Sequence, residues 1–362
     1  MKINRQKMAT GKSKRNGLLA ISQWLCFAGL IGVVATPTPL SAESPEKTAG
    51  GASVAPAIDT AVALRSNSPT DDLTADSRAV ARNATESQSQ SQAQHRRLRQ
   101  EAAAVLIDRT VRRLASGPSF DAKLTQEIRA QGRSAVGVGR YEQAGGNTGR
   151  ISMEMMIPTS NGKCLLQQMC DGRLAWTREQ VGDTVRLRRV DVGRLDEMVG
   201  RQVRGISPRL RVGGLVELLE RAHADYALEQ VPAELEGRPV WMLRGTIRPT
   251  TEEAILRAAG REDWPPLCPR WIAIAIAADD DEEGFGAGLP VRFEYWSDEA
   301  VATRRLISYL KIYDLQKIQP APETHFRFET GESDVNYVND TQRYLDHFGI
   351  QVTDKQQRLL TR

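Results

Sequence analysis

From Phe120 onward, apolar residues recur at every second position, and this constrains the chain more than any other feature. Phe120, Ala122, Leu124, Ile128 and Ala130 alternate with Asp121, Lys123, Thr125, Glu127 and Arg129. A period of two is the signature of a strand with one buried face. Ser134 to Glu142 reads as a second strand. Gly145-Gly146-Asn147-Thr148-Gly149 is a turn, and after it Ile151, Met153, Met155 and Ile157 resume the alternation. Asn161-Gly162 and Asp171-Gly172 are hairpin dipeptides. Around the second, Leu165–Met169 is expected to pair with Leu174–Glu179, and Thr184–Val190 follows as a further strand. Strand after strand joined by short turns predicts an antiparallel meander.

Helical spacing interrupts this pattern. Ala103, Ile107, Val111 and Leu114 predict a helix ending at Gly117-Pro118. Val192 to Gln202 reads as a short helix. Leu215, Leu218, Leu219, Ala222 and Tyr226 mark an amphipathic one. Strands return at Tyr226–Gln230 and Val240–Ile247, a helix is expected at Thr250–Ala259 with Thr250 or Thr251 as its N-cap, and strands follow at Trp271–Ala278, Val291–Trp296 and Arg304–Leu315. A last helix is expected at Thr341–Phe348. A sheet of this size must hide its apolar face. The expected fold class is therefore α+β: an open, strongly curved antiparallel sheet, an incomplete barrel, with helices covering the concave face. Whether that face encloses a cavity or a plain core is not decided by the pattern.

The first sixteen residues carry six basic side chains and no acid, Gly17–Ala35 is an uncharged run of 19 residues, and Leu40-Ser41-Ala42 supplies a small residue for cleavage. This is the order of a secretory signal over 1–42. The run is also about long enough to be retained as a membrane anchor. Without 1–42 the net charge changes from +4 to −2, because that segment holds six basic residues and no acidic one. The basicity belongs to the leader, so nothing in it points to nucleic acid. Residues 43–97 lack aromatics and contain Ser87-Gln88-Ser89-Gln90-Ser91-Gln92. They are expected to be a disordered linker, leaving 98–352 as the folded domain and 353–362 as a polar tail.

Catalytic signals are sparse. His95, His223, His325 and His347 form no metal-binding pair, and no nucleophile elbow or phosphate loop is present. Asp279–Glu283 lacks the alternating spacing of a calcium loop. Cys164 and Cys170 lie six residues apart. On one strand they stand about 20 Å from each other and cannot bridge. Cys268 could bond either, or all three could be buried thiols. Arg186, Arg188 and Arg189 share a strand as a charged face or an anionic-headgroup site.

Cys170-Asp171-Gly172-Arg173-Leu174-Ala175-Trp176, the late strand Arg305–Gln316, then His325-Phe326-Arg327-Phe328-Glu329 and Gly331-Glu332-Ser333-Asp334-Val335 occur in an order that resembles the periplasmic lipoprotein-sorting (LolA/LolB-like) family over about residues 98–340. The family places a Trp after an Asp-Gly turn and a short Phe-x-Phe strand near its end. The resemblance implies non-enzymatic binding or carriage of lipid or lipoprotein acyl chains in the periplasm, with no cofactor. The lipid-lining residues it implies are Ile151, Met153, Met155, Trp176, Leu215 and Leu219. Partners would be a lipid or acylated lipoprotein, together with membrane-associated transport or regulatory proteins. The same fold also serves envelope stress sensors, the alternative if the N-terminal helix is retained as a tether. Better-known members carry Lys-Arg-Pro where this chain has Met155-Met156-Ile157-Pro158, so an identical lid switch is not implied.

Overall fold

A computed structural model describes residues 75–130, 133–159, 162–199, 206–265, 267–281, 284–300, 303–329 and 336–350. The expected signal over 1–42, the first part of the expected linker, Gly331–Val335 and the expected C-terminal tail lie outside the described residues. The chain divides into two compact units, one holding residues 35–95 and the other the sheet domain from Arg96 onward.

In the first unit the described part is helical. Helix α1 spans Ala75–Ser116 and so runs through the Ser-Gln tract, correcting the expectation of disorder across 75–97. The absence of aromatics forbids a core there but does not forbid a helix. Ala, Gln and Arg are good helix formers, and extending a nucleated helix is far easier than starting one.

In the sheet domain, six strands follow α1 in direct succession: β1 (Phe120–Ala130), β2 (Arg133–Ala144), β3 (Arg150–Thr159), β4 (Gly162–Asp171), β5 (Leu174–Val181) and β6 (Thr184–Asp191). Helix α2 (Val192–Val199) and helix α3 (Gly214–Asp225) come next. A second run contains β7 (Tyr226–Leu235), β8 (Arg238–Ile247), helix α4 (Pro249–Ala259), β9 (Trp271–Ala277), β10 (Pro290–Ala300) and β11 (Thr303–Lys317). The two-residue strand β12 (Val338–Asn339) and helix α5 (Thr341–His347) end the described chain. Helix α4 starts one residue earlier than expected, with Arg248 at the N-cap and Pro249 in the first turn. Proline is favoured there because its missing N–H has no helical partner to lose.

All twelve strands form one sheet in the order β12-β6-β5-β4-β3-β2-β1-β11-β10-β9-β8-β7. Each run is a meander. Antiparallel pairing of β1 with β11 joins the two runs, and only β12 with β6 is parallel. The sheet does not close: β7 stands at one end and the short β12 beside β6 at the other. Register shifts at Asp121/Lys123 and at Tyr295/Trp296 fall on the two pairings of β11. Such bulges bend and twist a strand, and here they lie at the middle of the open, curved sheet.

One face of the sheet carries the core. Leu106, Ile107, Val111 and Leu114 of α1, Leu195 of α2, Leu215 and Leu219 of α3, and Leu345 of α5 join the inward residues of the strands in one buried cluster. The three isoleucines of β9 belong to it, whereas Ala275 belongs to a small second cluster with Val240 and Met242 on the opposite face. Cys164, Cys170 and Cys268 are buried thiols and form no disulfide. Burial pushes Cys170 up to about 12 and Cys268 up to about 11.

Candidate functional site

The strand register determines which expected site residues meet. Tyr141 pairs with Met153, Met153 with Gln168, Gln168 with Thr177, and Thr177 with Arg188. This inner-face ladder is apolar at β2–β3 and polar towards β6. The next ladder runs Ile151–Cys170–Ala175–Val190. Met155 pairs with Leu166. Helix α3 lies over this region. Leu215 and Leu219 are 0% exposed, and Ile151, Met153 and Met155 are 6%, 2% and 3% exposed. Five of the six expected residues therefore converge in the interior.

Trp176 borders the small cavity beneath α3 together with Ile151, but its ring points away from the five. It pairs with Met169, one step out of phase with Cys170–Ala175, and so sits on the opposite face. There its ring stacks on Phe328 at 5.3 Å between centroids and meets Tyr337 edge-on at 5.3 Å. Arg189 lies 4.3 Å over the Tyr337 ring. Alternation alone carried this signal, because residues on either side of Trp176 share the phase of the buried β4 set.

The entry to α3 requires close approach. Gly213 and Gly214 have φ of 80° and 60°, and a Cβ on Gly214 would lie 2.9 Å from the Tyr141 hydroxyl and 3.0 Å from Ile151 Cδ1. Glycine permits both the left-handed backbone and the contact. The Gly214 N–H donates to Gln168 Oε1 at 3.1 Å, and the Gly213 N–H donates to Glu217 Oε2 at 2.6 Å.

Glu217 is the buried polar centre missed in the sequence. It forms an ion pair with Arg221 one turn on, and Tyr344 of α5 donates its hydroxyl to Glu217 Oε1 at 2.8 Å. Burial pushes the Glu217 carboxyl up, but Arg221, the Tyr344 hydroxyl and the Gly213 amide together outweigh it and hold it below the usual carboxylate range. Burial likewise raises the Tyr344 phenol. The only sequence signal was the i,i+4 spacing of Glu217 and Arg221. Arg188 pairs with Glu179 and reaches Asp340 Oδ2 at 4.0 Å.

Tyr344 is brought to Glu217 by a C-terminal strap. After β11 the chain makes a 3₁₀ turn at Glu323–Phe326, which corrects the expected Phe-x-Phe strand. Pro320 and Pro322 lack the N–H that a ladder needs. Phe326 is buried, Glu323 pairs with Arg150 at 2.7 Å, and His325 Nε2 lies 2.8 Å from Glu142. The chain then adds β12 to the edge of β6, where the Asp340 N–H donates to the Arg189 carbonyl at 2.9 Å and Thr341 Oγ1 accepts from the Asp191 N–H at 2.9 Å. From that edge α5 delivers Leu345 to the interior.

The described core is closely packed, with Leu195, Leu215, Leu219 and Leu345 fully buried. Between α3 and the sheet, a cavity of about 30 Å³ is bordered by Gln168, Thr177, Arg188, Glu217 and Tyr344, the volume of about one water. Beside Arg343 and His347 another holds about 60 Å³. A larger groove, of about 430 Å³, lies on the opposite face across β7–β10.

No family model matches the sequence, and no curated protein does. Among solved structures similar to this chain is the Pseudomonas aeruginosa MucA/MucB complex, at 13% identity and a TM-score of 0.30, covering 63% of this chain and 61% of that one. A LolA-superfamily protein from Nitrosomonas europaea aligns at 12% identity and a TM-score of 0.26, over 61% of this chain and 96% of its own. The Mycobacterium tuberculosis lipoprotein LppX aligns at 12% identity and a TM-score of 0.27, over 60% and 95%. The chain thus spans about three fifths of the MucB chain and nearly all of the two smaller proteins.

Proposed function

We propose that the chain is a non-enzymatic binding protein of the cell envelope, exported by its leader, that takes up a lipid or the acyl group of a lipoprotein between helix α3 and the sheet. The observation that carries this reading is the burial of Ile151, Met153 and Met155 of β3 in one apolar cluster with Leu215 and Leu219 of α3. Methionine packs against variable apolar partners, and each buried CH₂ of a guest contributes about 0.8 kcal/mol. Binding proceeds by displacement of α3, since the cavity described beneath it holds only about 30 Å³. The Tyr344–Glu217 hydrogen bond between α5 and α3 is what that movement breaks, whereas the Glu217–Arg221 pair lies within α3 and moves with it.

A latch that keeps the open state rare weakens apparent affinity by the same factor. The test is titration of the full chain with a fluorescein-labelled, palmitoylated peptide, comparing wild type with Tyr344→Phe. Loss of one hydrogen bond to a carboxylate, about 1.5 kcal/mol, should tighten binding roughly tenfold. A peptide without the acyl chain should not bind. If neither protein binds the acylated peptide, the carrier reading fails.

The sealed interior favours a second reading, an envelope sensor or regulator whose partner is a protein and whose α3 never leaves the sheet. Retention of Met1 in a membrane fraction, read by N-terminal sequencing, would favour the tethered form of it. A mature start near Glu43 would favour the carrier.

A further inference from the structure

The outer-face groove has a floor and rim unlike a merely solvated sheet. Its floor is built on two cross-strand ladders. One runs Thr246–Trp271–Trp296, the other Glu229–Arg244–Ala273–Glu294. Met242 lies on the same face, beside the small Ala273. The groove holds about 430 Å³, within the range of small-ligand sites and many times the interior cavity.

Its charges are unevenly committed. Glu229 is held by Arg96 at 2.7 Å. Glu294 is held by Arg292 Nε at 2.7 Å and accepts the Trp296 indole N–H at 3.2 Å. Both carboxylates therefore already have partners. Arg244 is exposed and has no ion pair among the described residues. Arg304 lies 3.4 Å over the centre of the Trp271 ring and is exposed, and a cation seated on a ring by the face of its guanidinium can still donate from its N–H edge. The remaining character is an aromatic and aliphatic floor flanked by two arginines.

We propose that this groove binds a single-chain anionic amphiphile as a free monomer, with its apolar tail on the Trp271–Trp296 floor and its carboxylate or phosphate group on Arg244 and Arg304. The site is separate from the interior and does not depend on displacement of α3.

The probe is dodecanoate, titrated below its micelle concentration into the full chain and followed by tryptophan fluorescence and calorimetry. Dodecanol and dodecylammonium serve as neutral and cationic controls, and vesicles of anionic phospholipid as the membrane control. Dodecanoate should bind the groove at least tenfold more tightly than either control. Arg244→Gln with Arg304→Gln should weaken this binding at least tenfold while the variant keeps a cooperative melt. Ala273→Leu, which fills the floor, should abolish the arginine-dependent binding, and Tyr344→Phe should leave that binding unchanged, uptake into the interior being the part that responds to Tyr344→Phe and not to the arginines. Equal binding of the three amphiphiles, indifference to the arginine substitutions, a response of the arginine-dependent binding to Tyr344→Phe, or binding to vesicles without binding of the monomer would each overturn the proposal.

Discussion

The two faces of one sheet have opposite fates. The inner face is closed by α1, α2, α3 and α5, with cavities of about 30 and 60 Å³ and a buried carboxylate satisfied by an arginine, a tyrosine and a backbone amide. The outer face of β7–β10 carries a groove of about 430 Å³ whose arginines are exposed. Both are built by the same alternation, so the strands alone do not decide which face becomes a site. What decides it is where the connections go. The β6–β7 connection and the C-terminal strap put helices on the inner face, and among the described residues no helix of either covers the outer face of β7–β10.

The largest test of this contrast is Leu219→Ala. In a filled interior it should cost about 2–5 kcal/mol by denaturant unfolding, the range for a packed leucine. A cost below about 1 kcal/mol would mean that the inner face already contains space, and the contrast would collapse. Next is Glu217→Ala, which leaves Arg221 and the Tyr344 hydroxyl without their shared partner. Removing one member of a buried pair costs about 3–5 kcal/mol. Arg221 is 29% exposed on its side chain, which places the expected loss nearer about 3 kcal/mol.

Asp225, at the end of α3, sharpens the comparison through pH. Burial pushes its carboxyl up to about 6, against the smaller opposing pull of Arg221, Thr251 and Arg248. The folded state then binds this proton more tightly than the unfolded state does. The stability it contributes is complete below about pH 3.8 and is lost as the pH rises through about 6. Asp225→Asn should therefore stabilise the protein at pH 8 by about 1–3 kcal/mol and change little at pH 4. Equal effects at both pH values would show that the end of α3 is open to water. On the outer face, Arg244→Gln should change stability by less than about 0.5 kcal/mol. A larger loss would show that the groove arginine has a structural partner.

Much of the inner face was legible in the sequence because period two, hairpin glycines and helical spacing are local signals. They located β1–β11, helix α3 and the five buried apolar residues. Three things were not local. The pairing of β1 with β11 joins segments nearly two hundred residues apart, which no window reports. The face of the Trp176 ring was available from alternation, whereas the resemblance of its motif carried no information on which way the ring points. The strap was misread because Phe326 and Phe328 look like a strand by composition, whereas the flanking prolines enforce a turn and leave their rings to pack on the outer face. Glu217 was hidden between Val216 and Leu218, where only its spacing from Arg221 marked it.

The most direct test of the lid account is amide hydrogen exchange of the full chain with and without the palmitoylated peptide. Exchange reports local opening element by element. The account predicts that the peptide changes protection of α3 and α5 together, through the Glu217–Tyr344 contact they share, while β9 and β10 keep their protection. A ligand-bound chain in which α3 and α5 exchange as they do without ligand would contradict it.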